Sequence, residues 1–189
     1  MVDLSTQRLI LRPLARAEID LIAALAGDKR IAEMTRSIPH PLTAADVAEW
    51  VDSLDRRHER AFAIHLRGDD ESSEPTLIGV IALTVPTDSG AAEVGYWLGV
   101  QHWGGGYMTE ALRRVLRYAF GDLKLTSVMA DVFVENARSV GVLVKSGFNV
   151  EGRKMRPAPA RGGDREVLTF RATRASFARA ALSQAVGRE

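Results

Sequence analysis

Three consecutive glycines, Gly104-Gly105-Gly106, stand between a run that alternates like a strand and a run that repeats like a helix. Residues 92–98 supply the strand. Residues 107–120 supply the helix, with Met108, Leu112, Val115 and Ala119 on one face. Residues without side chains let the backbone bend and let a ligand come close to it. The first turn of a helix carries unpaired N–H groups and a partial positive charge, so the junction can act as a phosphate cradle. The plainer reading is a flexible connection. Two common phosphate motifs do not fit. A dinucleotide fingerprint needs a glycine three residues after Gly106, where Thr109 stands, and no Gly-Lys-Ser/Thr tripeptide of a P-loop follows.

The rest of the chain reads as further strands and helices around this junction. Leu9, Ile10 and Leu11 form an opening strand. Ile19, Ile22 and Leu25 have helical spacing before Gly27, and a short helical piece follows around Ile31 and Met34. Two prolines keep residues 37–42 out of helix. Thr43 and Asp46 form a capping box for a helix carrying Val47, Trp50, Val51 and Leu54. Phe62, Ile64 and Leu66 alternate, a polar loop spans 67–75, a β-branched strand fills 77–85, and residues 86–90 read as a hairpin turn. Residues 127–134 alternate again. Residues 136–146 form a helix with Asn136 as its cap and Gly147 as its stop. Strands near 148–153 and 165–172 enclose a Pro/Gly-rich loop, and an alanine-rich helix follows. On helix 107–120, Glu110 is positioned to pair with Arg114.

The strand 92–98, helix 107–120 and strand 127–134 make a βαβ unit, whose strands run parallel. The strands on either side of residues 86–90 run antiparallel. The fold class is therefore α/β (α+β): a mixed, strongly twisted sheet of six to seven strands with helices on both faces. One domain over residues 1–173 and a helical tail over 174–189 are expected, with no internal repeat.

Charge narrows the partners. The 189 residues hold 25 basic and 24 acidic side chains, for a net charge of +1, which leaves no electrostatic footprint for nucleic acid or an anionic membrane. No apolar run is long enough to span a bilayer and the first residues do not read as a signal peptide, so a cytoplasmic location is the default. There are no cysteines, hence no thiolate nucleophile and no cysteine-bound metal. His40, His58 and His65 have no metal-ligand spacing, so no metal is expected.

Gln101-x-x-Gly104-x-Gly106, taken with Asn136-x-x-Ser139 and Lys145-x-Gly147-Phe148, resembles the GNAT superfamily of acyl-CoA-dependent N-acetyltransferases. More narrowly, three stretches are similar to the Rim-type branch, which acetylates the N-termini of ribosomal proteins: Thr6-Gln-Arg-Leu-Ile-Leu-Arg-Pro-Leu14, Glu93-Val-Gly-Tyr-Trp-Leu-Gly99 and Trp103-Gly-Gly-Gly-Tyr-Met-Thr-Glu-Ala-Leu112. The similarity spans roughly residues 5–172. It implies that strands 92–98 and 127–134 splay apart and that coenzyme A lies in the gap. Main-chain groups at Leu98 and Val100 would pair with the pantetheine arm. The loop of Gln101, Gly104, Gly105 and Gly106, with the N–H groups of Tyr107 and Met108, would hold the pyrophosphate. Asn136 would bond the pantetheine, and Ser139 would lie near the thioester sulfur.

The implied reaction moves an acetyl group from acetyl-CoA to a primary amine within a ternary complex, since no cysteine can carry an acyl group. A peptide α-amine, with a pKa of about 8, needs only a weak base, whereas a lysine amine at about 10.4 is harder to deprotonate. Glu93 is the first candidate base and Asp131, on the partner strand, the second. Many members of the superfamily carry a tyrosine seven residues after the asparagine. Leu143 stands there in this chain, leaving Ser139 or water to protonate the thiolate. His102 reads as a surface loop residue. The acceptor is expected over residues 37–42 and the loop at 154–164. It is a peptide N-terminus, or else a small-molecule amine; a non-catalytic acyl-CoA sensor is the third reading. The oligomeric state is monomer or homodimer.

Overall fold

Two strands with different preferred neighbours determine the architecture of the sheet. The protein, described by a computed structural model, is defined over residues 2–68, 73–87 and 90–186. The middle of the 67–75 loop and the tip of the 86–90 turn lie outside the described residues. The described residues form eight strands, β1 (Leu4–Ser5), β2 (Leu9–Pro13), β3 (Glu59–Leu66), β4 (Thr76–Thr84), β5 (Ala91–Leu98), β6 (Ser127–Phe133), β7 (Asn149–Ala158) and β8 (Gly163–Thr173). They lie in the order β1-β2-β3-β4-β5-β6-β8-β7. Only β5 and β6 are parallel; every other pair is antiparallel.

The sheet has one more strand than expected. The addition is β1, a two-residue piece that pairs Leu4 with Leu11 and is too short to leave a periodic signal. The second correction is larger. The expected Pro/Gly-rich loop at 154–164 is mostly strand, because β7 and β8 stay paired out to Ala158↔Gly163. Pro157 had argued against strand. It sits on β7, the edge of the sheet, where a missing N–H on the outer side costs no ladder bond. The turn is left to Pro159–Arg161 and to Gly162 and Gly163, both at positive φ.

Among the described residues six α-helices cover the two faces: α1 (Ile19–Ala26), α2 (Lys29–Glu33), α3 (Ala44–Ser53), α4 (Tyr107–Gly121), α5 (Ala137–Lys145) and α6 (Arg174–Val186). The expected inner face of α4 is buried, and Ala111, Leu116, Tyr118 and Phe120 join it. These residues pack with Phe62, Ile64, Ile81, Val128 and Phe170 in the main core. Each fully buried Leu or Phe contributes about 1.5–3 kcal/mol through removal from water. On the opposite face α1 and α3 close a second core around Ile22, Val47, Val51, Ala63 and Val80. The Thr43–Asp46 capping box forms as expected. Among the described residues no helix is long and apolar enough to cross a membrane.

Helix α6 docks where α5 ends. Gly147 has φ +90, and a Cβ there would lie 2.9 Å from both the Ser176 carbonyl oxygen and the Phe177 Cα. Phe177 also packs against Phe120, with ring centroids 5.9 Å apart. Gly147→Ala therefore meets both backbone strain and a backbone clash. It is expected to lower the unfolding free energy by about 2 kcal/mol or more, measured by urea denaturation. Unaltered stability would mean that α6 does not pack at this position.

Candidate functional site

The site begins where β5 and β6 stop pairing. β4 holds β5 along its length, from Gly79↔Leu98 to Thr84↔Glu93. β8 holds β6 from Ser127↔Thr173 to Phe133↔Val167. Between them β5 and β6 share only three pairs, Ala91↔Ser127, Ala92↔Val128 and Glu93↔Met129. Past Glu93 the two strands follow different partners, and a gap opens through the sheet. The Gly99 N–H bonds to Ile78 on β4. By the alternation of strand geometry, the main-chain groups of Leu98 face the gap. The Leu98 carbonyl, however, accepts from the Trp103 indole N–H at 2.9 Å, and the Val100 carbonyl accepts from the Trp103 backbone N–H. An extended ligand pairing along this edge would thus use N–H groups more readily than these two carbonyls.

The glycine loop lies at one mouth of the gap. Gly104 and Gly106 have φ of +82 and +77, which side chains rarely adopt. A Cβ on Gly104 would meet nothing within 4 Å, so that side of the loop is open. Gly106 is the N-cap of α4 and supplies no side-chain cap. The first-turn N–H groups, those of Tyr107 and Met108 among them, therefore begin the helix without one. Gln101, in the short 3-10 turn Val100–His102, folds its amide toward Gly99, where an added Cβ would lie 3.2 Å from Gln101 Oε1. His102 is in the same turn, beside the Tyr107 ring, and burial lowers its pKa.

A buttress holds this loop from behind, and it corrects the expected pairing of Glu110 with Arg114. Glu110 instead accepts from Thr6 Oγ1 at 2.6 Å, from the Arg8 backbone N–H at 3.0 Å and from Arg8 Nε at 2.7 Å. Arg114 turns to the Ser5 carbonyl. The β1–β2 turn crosses the first turn of α4 with donors already fixed, whereas an exposed i,i+4 pair must immobilise two long side chains. Arg8 also donates to the Gly105 carbonyl at 3.1 Å and stacks over the Tyr107 ring at 4.5 Å.

Asn136 caps α5, its Oδ1 accepting from the Ser139 N–H at 3.1 Å. Ser139 Oγ lies 3.0 Å from the Tyr96 hydroxyl, which reaches it from β5. Sequence reasoning missed Tyr96. The available signal was its alternation with Val94 and Leu98, which puts all three on the side of the main core. Leu143 is fully buried and serves packing. Arg138 lies over the Trp103 ring at 4.9 Å, a contact from α5 to the loop.

Glu93 and Asp131 occupy the opposite face of the sheet and line one cavity of about 330 Å³ with Met129, Glu151, Arg156 and Arg171 among others. Glu93 Oε1 accepts from Arg36 at 2.8 Å. Asp131, whose side chain is only 5% exposed, is held by Arg156 at 2.5 Å and Lys154 at 3.5 Å. The two candidate bases are thus brought together but differently occupied. The expected acceptor segments also reach this side: Arg161, in the turn after β7, donates to the Ile38 carbonyl.

Burial raises the pKa of Glu110, but the hydrogen bonds from Thr6 and Arg8 outweigh it, and the net shift is downward from 4.5. A depressed carboxylate stabilises the fold fully above its unfolded value, and that contribution is lost as pH falls through the folded value. Glu110→Gln is therefore expected to loosen the glycine loop, lowering coenzyme A affinity severalfold by calorimetry at about pH 7. Its melting temperature should also fall less than that of the wild type between about pH 5 and the acid side of 4.5. An equal acid loss in both proteins would remove Glu110 from the buttress.

The acetyltransferase (GNAT) domain model matches residues 8–149. An uncharacterized N-acetyltransferase p20 of Bacillus licheniformis is 28% identical over 182 residues, covering 94% of this chain and 99% of that protein. The ribosomal-protein-serine acetyltransferase of Escherichia coli is 32% identical over 80 residues, 42% of this chain and 45% of that protein. A spermidine N-acetyltransferase from Vibrio cholerae, solved with CoA and spermine, superposes with a TM-score of 0.76 at 22% identity, covering 91% of this chain and 99% of that one. With three quarters of its length inside the family model, and with the glycine-led helix set beside a splayed parallel pair, the chain belongs to the GNAT family of acetyl-CoA-dependent N-acetyltransferases.

Proposed function

We propose that the protein acetylates the α-amine of a peptide or protein N-terminus, in the manner of the Rim-type enzymes. The observation that carries this reading is the opening between β5 and β6. It joins the face bearing the glycine loop and Ser139 to the face bearing Glu93 and the cavity. Coenzyme A and the amine would then meet from opposite sides of the sheet. The N–H groups at the start of α4 are donors of the right kind for a diphosphate, and the open space at Gly104 leaves room for one.

In this arrangement the amine attacks the thioester carbonyl directly. The C–N bond forms, a tetrahedral intermediate follows, and the C–S bond breaks with its electron pair going to sulfur. Main-chain N–H groups along the unpaired stretch of β5 would stabilise the oxyanion. The attacking nitrogen loses its proton to Glu93, directly or through water. An α-amine with a pKa of about 8 makes this a modest demand. Glu93 is preferred to Asp131, whose carboxylate is already claimed by two cations. The Ser139 hydroxyl faces the leaving sulfur.

The cavity's charge supports a peptide over a polyamine. Its carboxylates Glu93, Asp131 and Glu151 are each paired, with Arg36, with Arg156 and Lys154, and with Arg171. A polycation would have to displace those pairs. The likeness to the spermidine enzyme favours the opposite reading, so the acceptor assay must contain both classes. Thiol release measured against N-terminal peptides, spermidine and simple amines is expected to show turnover with peptides and little with polyamines. The reverse ranking would replace the peptide reading with the polyamine one. For Glu93→Gln, kcat should fall at least about tenfold with the KM for acetyl-CoA nearly unchanged. Wild-type kcat in that variant would move the base elsewhere.

A further inference from the structure

Leu143 occupies the place where many GNAT enzymes carry a tyrosine, and α5 has no hydroxyl there. A phenol nevertheless reaches the same helix from the neighbouring strand. We propose that Tyr96 is a positioning residue whose hydroxyl donates to Ser139 Oγ and so turns the serine's own proton toward the departing thiolate. This rests on the reading of Ser139 as the group beside the leaving sulfur.

Geometry limits what each hydroxyl can do. The Ser139 backbone N–H is committed to Asn136, which fixes the first turn of α5. Tyr96 Oη has two neighbours on Ser139, the Oγ at 3.0 Å and the carbonyl oxygen at 3.5 Å. If the serine donated to the phenol, the phenol's proton would be left with the long, poor contact to that carbonyl. With the phenol as donor, the shorter contact is a sound hydrogen bond, and the Ser139 proton is released to point elsewhere. Tyr96 comes from β5 and Ser139 from α5, just beyond β6. Their contact therefore bridges the divergence of the two strands, where the thioester would lie.

The chemistry separates positioning from acid catalysis. Burial pushes the Tyr96 phenol upward, and the Ser139 hydrogen bond offsets this only in part. The phenol thus holds its proton throughout the neutral range and would be a poor source of one. In the transfer step the C–S pair goes to sulfur, and the thiolate accepts a hydrogen bond from Ser139 Oγ. Its eventual proton comes from the ammonium formed on attack, through Glu93 and water. Tyr96 neither gains nor loses a proton.

Tyr96→Phe removes only the hydroxyl. With a competent amine acceptor, kcat should drop about five- to tenfold while the KM for acetyl-CoA stays within about twofold. The shape of the pH profile should be retained. Ser139→Ala should behave similarly, and the double variant should lose little more, since both remove one oriented donor. A second measurement needs no acceptor: the thiol of bound coenzyme A, followed by thiolate absorbance, should titrate at higher pH in Tyr96→Phe than in the wild type. Wild-type kcat with an unshifted thiol titration in Tyr96→Phe would overturn the proposal. An alkaline limb present in the wild type and absent from Tyr96→Phe would also overturn it, in favour of a general acid. Absence of turnover with every amine would sink the acceptor reading alone, because the thiol titration would still decide the role of Tyr96.

Discussion

The site depends on the competition that ends the pairing of β5 with β6. A parallel pair inside a sheet normally runs its full length, because each abandoned rung leaves an N–H and a carbonyl without a partner. Here each strand is held on its other side by a longer antiparallel ladder, β4 for β5 and β8 for β6. Those ladders have the natural twist of a sheet, and the crossover through α4 begins where β5 ends. The two strands satisfy their stronger neighbours and separate after three pairs. The main-chain groups released on β5 are then available to a ligand. The same separation lets groups from opposite faces of the sheet approach one another without crossing a wall of backbone.

Opening the gap creates a second problem at the start of α4. A helix that begins on Gly106 has no side-chain cap, and α3 shows what it forgoes: Thr43 and Asp46 satisfy its first turn internally. If a serine or aspartate capped α4, its oxygen would occupy the position an anion needs. The protein leaves that position free and holds the loop from outside. Thr6 and Arg8, about a hundred residues earlier in the chain, fix Glu110, and Arg8 grips the Gly105 carbonyl and covers the Tyr107 ring. The guanidinium also adds positive charge beside a helix terminus that is already electropositive. The β1–β2 turn therefore supports the glycine loop, although none of its side chains was a site candidate.

Features encoded by local pattern were legible in the sequence. The βαβ unit, the antiparallel pair around residues 86–90, the inner face of α4 and the Thr43 box all follow from periodicity and caps. What stayed hidden depends on partners distant in sequence. Glu110 has Arg114 four residues away and chooses Arg8 instead, because tertiary structure brings the Arg8 guanidinium to one carboxylate oxygen and Thr6 with the Arg8 N–H to the other. Asp131 reads in the sequence as a second candidate base, and the cations that occupy it, Arg156 and Lys154, come from β7, a stretch that its prolines and glycines marked as loop. Tyr96 sat inside a recognised motif, yet nothing local indicated that its hydroxyl would meet Ser139.

The contacts that cross the gap are of one kind. Tyr96 reaches Ser139, Arg138 stacks on Trp103 and Arg161 reaches Ile38. Each is a side-chain contact between the part of the chain before α4 or at its entrance and the part after it. A hydrogen-bond ladder in the same place would be stiffer, but it would close the passage. Side-chain bridges can rotate aside or exchange partners at a cost of about one hydrogen bond each. The two halves of the sheet can therefore stay in register while the gap between them remains open. Arg36 adds a side-chain contact of the same kind within the part of the chain before α4. It pairs with Glu93 and stands just before the segment that two prolines keep out of helix, so movement there would reach the candidate base through a single ion pair.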